Sequence, residues 1–168
     1  MPNHSRKASA ELLNKLGTAL FQRGDDEAAL AHFKKTLEVV QDQDPNSFCE
    51  AMTRENIGKI LLKRDDVAGA LAQYVKVLHI VRKMKPDSMY EAMTRNNMGR
   101  MHFKSNDMQN ALEHYQKALA IMEVHVPNSF TIATTLHNIG EAYVRNECQD
   151  AALQYYQRAL EIRQGLAV

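Results

Sequence analysis

Four glycines, Gly17, Gly58, Gly99 and Gly140, recur at a step of 41 residues, and other residues keep step with them. Ala29, Ala70, Ala111 and Ala152 do so, as do Phe33, Tyr74, Tyr115 and Tyr156, and Leu37, Leu78, Leu119 and Leu160. Pro45, Pro86 and Pro127 punctuate the series, each followed by Asn or Asp and then Ser. A strict period of this length means one supersecondary unit copied four times. It also points toward binding, because catalysis requires unlike residues gathered from unlike places.

Within a unit the pattern is helical. Thr94, Met98, Met101 and His102 follow a spacing of three and four, and so do Ala111, Tyr115, Leu119 and Met122. Ser105-Asn106-Asp107 lies between the two runs with turn and capping chemistry. The equivalent turns are Gly24-Asp25-Asp26, Arg64-Asp65-Asp66 and Asn146-Glu147-Cys148. No stretch alternates with the period of a strand. Ser47 with Glu50 and Ser88 with Glu91 match the capping box, in which the glutamate bonds back to the serine's own N–H. The fourth unit has Ile132 in the glutamate's place, which predicts a weaker helix start. A glycine in the middle of a helix costs about 0.8–1 kcal/mol against alanine. Close approach of the paired helix explains four of them, with the repeated alanines expected opposite the glycines and the aromatics beside.

The series Gly, then Ala twelve later, then an aromatic four after that, resembles the tetratricopeptide repeat. Gly99, Ala111, Tyr115 and Ala118 carry it most fully, while Thr36 and Val77 depart from the family's small residue. The usual unit is about 34 residues, so each of these carries about two extra helical turns. Longer units of this kind are similar to those of kinesin light chains and their relatives. The stretch from Pro127 through Asn128, Ser129 and Phe130 to Asn138, Ile139 and Gly140 resembles that subfamily's linker and first helix. The resemblance implies an all-α fold, a right-handed α-α superhelix of four helix-turn-helix repeats. It predicts a single domain over residues 1–168, with repeats at about 5–45, 46–86, 87–127 and 128–168. HEAT or armadillo repeats are the alternative fold, and they lack the Gly–Ala–aromatic register.

In the tetratricopeptide family the free stripe of each first helix lines a concave groove that holds extended peptides. Here the stripes are Glu11, Lys15, Thr18 and Gln22; then Met52, Asn56, Lys59 and Lys63; then Met93, Asn97, Arg100 and Lys104. The fourth is Thr134, Asn138, Glu141 and Arg145. Asn56, Asn97 and Asn138 form a ladder of carboxamides, each able to donate and accept along a peptide backbone. The alternative is that they bond within the repeats. First helices two and three, residues 47–64 and 88–104, hold Arg54, Lys59, Lys63, Arg64, Arg95, Arg100 and Lys104 against Glu50, Glu55 and Glu91. That excess predicts an acidic extended partner, although Arg54 and Arg95 lie beside the buried stripe and could be structural. Met52 and Met93 would add adaptable apolar contact. A clamp for a terminal carboxylate is disfavoured: at its positions stand Asn14, Thr18, Met93 and Asn97, and only Asn56 fits.

The remaining composition narrows the functional classes. A net charge of +1 over 168 residues gives no case for nucleic acid or membrane. No apolar run approaches a membrane span and Met1 to Ala10 lack a secretory core. Cys49 and Cys148 occupy non-equivalent positions and read as free thiols in a cytoplasmic protein. The seven histidines show no metal-ligand spacing, and His32 and His114 are repeat equivalents. Neither a metal nor a cofactor is expected, and the chain reads as a non-enzyme. A second reading is self-association. Val168 stands where a fifth unit would begin, and Leu153, Tyr156 and Leu160 have no following helix to cover them. A homodimer through this end, or a chain cut from a longer array, is expected on that reading.

Overall fold

The computed structural model describes residues 2–165, and these form eight helices and no strand. The helices are α1 (Pro2–Gln22), α2 (Asp26–Gln43), α3 (Phe48–Lys63), α4 (Val67–Met84), α5 (Met89–Lys104), α6 (Met108–His125), α7 (Phe130–Arg145) and α8 (Gln149–Gly165). Consecutive helices pack as hairpins, one per repeat, giving the all-α repeat architecture that the period predicts. No helix among the described residues is long and apolar enough to cross a membrane. The chain divides into two compact units, Met1–Lys85 and Pro86–Val168, each holding two repeats.

Helix starts are set by short polar side chains. The N–H of Ala28 donates to Asp25 Oδ1 at 3.1 Å, that of Gly69 to Asp66 Oδ1 at 2.8 Å, and that of Asn110 to Asp107 Oδ1 at 3.2 Å. Ser47, Ser88 and Ser129 cap the first helices of their repeats in the same way, each at 3.3 Å. The fourth second helix differs, because Cys148 stands at its cap position: its carbonyl accepts from Ala152 N–H as Asp25's does from Ala29.

Between these caps the chain turns through left-handed backbone. Asn46, Asp87 and Asn128 have φ of 61°, 51° and 57°, which explains why each proline is followed by Asn or Asp, the side chains that best tolerate that region. That geometry also corrects the capping box. Glu50 Oε2 accepts from Asn46 N–H at 2.7 Å, and Glu91 Oε2 from Asp87 N–H at 2.9 Å, so the glutamate reaches one residue further back than the serine. In the fourth repeat Ile132 is buried in the glutamate's place.

The repeated glycines are explained by rings rather than by the alanines expected opposite them. A Cβ at Gly17, Gly58, Gly99 or Gly140 would come within 2.8, 2.6, 2.6 or 2.5 Å of the ring of Phe33, Tyr74, Tyr115 or Tyr156. The ring of the aromatic therefore occupies the space where a Cβ of the glycine would stand, and the alanine of each repeat is buried as well. In unit 1, Phe33 joins Ala29, Ile57 and Ile60 in the core. In unit 2, Tyr115 joins Met122, Ile132, Leu136 and Ile139.

Candidate binding face on the first helices

Because the rings seal the paired side of each first helix, the stripe two positions before the glycine is left toward solvent. Asn56, Asn97 and Asn138 are all half-buried there, while Met52 and Met93 are exposed beside them. The three amides are not equivalent. Asn56 Nδ2 donates to Thr18 Oγ1 at 3.4 Å, a long bond between the two repeats of unit 1. Among the described residues neither Asn97 nor Asn138 makes a side-chain hydrogen bond, so both keep a full donor and acceptor set.

The cationic excess read from the sequence is largely consumed within the chain. Arg54 and Arg95 are buried on Glu50 and Glu91, with Nη2 at 2.8 and 2.7 Å. Lys59 pairs with Glu55 at 2.8 Å. Lys63 reaches Asp26 at 2.7 Å and Arg64 reaches Glu27 at 2.8 Å, both on α2. Counting charges along first helices alone missed those two carboxylates, which another repeat supplies. Arg100 is exposed with no ion pair among the described residues, and Lys104 is exposed on the same helix.

Two predicted groove cations also cover aromatic rings of the preceding repeat. Lys63 Nζ lies 6.0 Å from the Phe21 centroid in unit 1, and the Arg145 guanidinium lies 4.0 Å from the Phe103 centroid in unit 2. Arg145 Nη1 further donates to the Phe103 carbonyl at 3.4 Å. Both rings stand four residues after a repeat glycine and both cations five after the next, so the contact occupies equivalent positions in alternate repeats, with Leu62 and Val144 at the ring position of the other two. The aromatic at Phe21 and again at Phe103 was the available signal for this second role of the cations.

Unit 1 carries a feature that the sequence did not announce. Glu11, Lys15, Thr18 and Gln22, the free stripe of α1, combine with Met52 and the start of α3 to line a cavity of about 590 Å³. Asn14 and Cys49 lie in its lining, and burial pushes the Cys49 thiol up, so it stays protonated at neutral pH. Asn14 is buried, and its Oδ1 has no hydrogen-bond partner.

In unit 2 two histidines, His102 on α5 and His114 on α6, meet between paired helices. His102 stacks on His114 with centroids 5.3 Å apart, and its Nδ1 is 3.1 Å from Asp107 Oδ2. Burial, then His102 and Arg95, push His114 down to about 4. On α8, Leu153 and Leu160 are exposed, whereas Tyr156 is half-buried on Gly140 and donates its hydroxyl to Glu141. The ring of Tyr156 thus serves its own hairpin first, and Val168 lies outside the described residues.

A model of the tetratricopeptide repeat matches residues 8–83 and 90–165. No curated protein sequence matches the chain. The crystal structure of BtubC (BKLC) from P. vanneervenii is similar at a TM-score of 0.90 and 19% identity, covering 96% of this chain and 66% of that one. The chain thus spans just under two thirds of BtubC's length. The crystal structure of MamA is similar at a TM-score of 0.75 and 22% identity, covering 94% of this chain and 80% of that one.

Proposed function

Because the chain belongs to the tetratricopeptide repeat family, whose repeats mediate protein–protein interaction, we propose that it is a scaffold holding an extended peptide on its first-helix stripes. The observation that carries this is the pair of uncommitted amides, Asn97 and Asn138, half-buried on successive first helices of unit 2. Met93 gives an exposed apolar contact on the same stripe. An acidic preference is supported at α5 by Arg100, which is exposed and holds no carboxylate among the described residues; in α3 the cations already hold carboxylates. The 41-residue period and the Pro127-Asn128-Ser129-Phe130 linker favour the kinesin-light-chain-like subfamily. Two free thiols fit a cytoplasmic setting. The test is capture from an array of extended peptides by wild type and by Asn97→Ala/Asn138→Ala. Acidic peptides held equally by both would remove the ladder reading.

The exposed Leu153 and Leu160 favour a second reading, self-association through α8. Light scattering at high micromolar concentration tests it, with Leu153→Glu/Leu160→Glu as the control. A wild-type monomer throughout would end it.

A further inference from the structure

We infer that copies of the chain join head to tail, the bare face of α8 in one copy receiving the bare face of α1 in another, as α2 receives α3 and α6 receives α7. This deepens the self-association reading and rests on it. The first argument is the register of α1. Steps of 41 residues carry Leu12 onto Thr53 and Thr135, and Leu16 onto Ile57 and Ile139. All four of those residues are buried. Ile57 shares a core with Phe33 of α2, and Thr135 Oγ1 donates to Met122 Sδ of α6 at 3.5 Å. Among the described residues nothing covers the same face of α1, where Leu12 is 68% and Leu16 45% exposed.

The second argument is the register of α8. Leu153 and Leu160 stand one step beyond Leu112 and Leu119, and three beyond Leu30 and Leu37. Those four pack in the cores that α3 and α7 complete, whereas Leu153 and Leu160 are exposed. The two bare faces are thus the unlike halves of an interface the chain already uses within each unit, which is the requirement for a head-to-tail contact. The third argument is charge. Arg64, just past α3, reaches Glu27 in the first turn of α2 at 2.8 Å. One step before Arg64 stands Arg23, and three steps after Glu27 stands Asp150. Both are exposed and neither has an ion pair among the described residues. At the intervening registers the sequence has Ser105 with Ala68 and Asn146 with Gln109, so only unit 1 and the two bare faces carry this pair of charges. Seating α1 of one copy on α8 of another sets Arg23 against Asp150 as Arg64 is set against Glu27. An α8–α8 contact leaves Arg23, Leu12 and Leu16 without a role.

The test is sedimentation velocity of the full chain at high micromolar concentration, with one variant blocked at each face. Leu12→Glu/Leu16→Glu and Leu153→Glu/Leu160→Glu should each be monomeric alone. Mixed in equal amounts they should form a one-to-one dimer, because one supplies an intact α8 face and the other an intact α1 face. The charges give a second, milder measurement on exposed side chains. Arg23→Glu or Asp150→Arg should weaken wild-type association by about two- to fivefold, and the two together in one chain should restore it. An α1-blocked variant that associates as wild type does would show α8 pairing with α8, which removes the head-to-tail contact and keeps self-association. Blocked variants that stay monomeric when mixed, while wild type associates, would also overturn the contact, as would charge variants whose combination restores nothing. A wild-type monomer throughout removes both readings.

Discussion

Arg54 donates to Glu50 through both Nε and Nη2, each at 2.8 Å, and both side chains are buried. Unit 2 repeats the pair as Arg95 on Glu91, and one period later the same positions hold Ile132 and Leu136, also buried. The fourth repeat therefore shows an apolar solution to a site where two others use an ion pair. Breaking a buried pair is costly, whereas replacing it whole often is not. Glu91→Ile should lower the unfolding free energy by about 3–5 kcal/mol, while Glu91→Ile/Arg95→Leu should recover most of that loss. Urea denaturation of the three proteins reads the difference, and a double variant as unstable as the single would contradict the equivalence.

Alanine at two of the repeat glycines should separate a clamped ring from a free one. Alanine gains about 1 kcal/mol of helix propensity, and the overpacking it causes costs about 1–3 kcal/mol. Tyr115 is buried and has nowhere to go, so Gly99→Ala should be destabilising. Tyr156 is half-buried and can swing outward, so Gly140→Ala should cost less. Equal melting temperatures for the two variants would show that burial of the ring does not decide the cost.

Cys148 stands where three other hairpins carry an aspartate cap, and its thiol is turned to the Asn146 carbonyl at 3.3 Å. Cys148→Asp should stabilise α8 by about 0.5–1 kcal/mol through a bond to its first turn. Slower hydrogen exchange at Ala151 and its neighbours is the expected sign.

His114 predicts an acid-sensitive hairpin. Its pKa is held at about 4, against an ordinary 6.5, by burial and then by His102 and Arg95, with Lys117 adding and Glu113 opposing. The unfolded chain therefore binds the proton more readily, and stability should fall as pH drops from about 6.5 toward about 4, levelling below. His114→Gln should flatten this slope. Gln73, the equivalent residue in repeat two, already accepts from Arg54 Nη1 at 3.1 Å. A pH profile unchanged by the substitution would place the sensitivity elsewhere.

Helix identity, hairpin pairing and the cap residues were legible because each depends on neighbours within one 41-residue unit. Contacts that join one repeat to the next were not. Lys63 with Asp26 and Arg145 with Phe103 span 37 and 42 residues, and only the register of packed repeats brings them together. That is why charges counted along one helix overstated a basic face. The cavity of unit 1 escaped for the same reason: Asn14 and Cys49 belong to different repeats, and an unpaired oxygen leaves no trace in composition.

The short turns closing each hairpin carry a kinetic consequence. Every repeat can zip up from its own three-residue bend without waiting for distant segments, so folding should be fast and should begin in several places at once. Unravelling should run the other way, starting at the hairpin whose bend is held least. With Glu147 at φ 58° and no aspartate to start its second helix, the α7–α8 pair is the one from which the chain should first come apart.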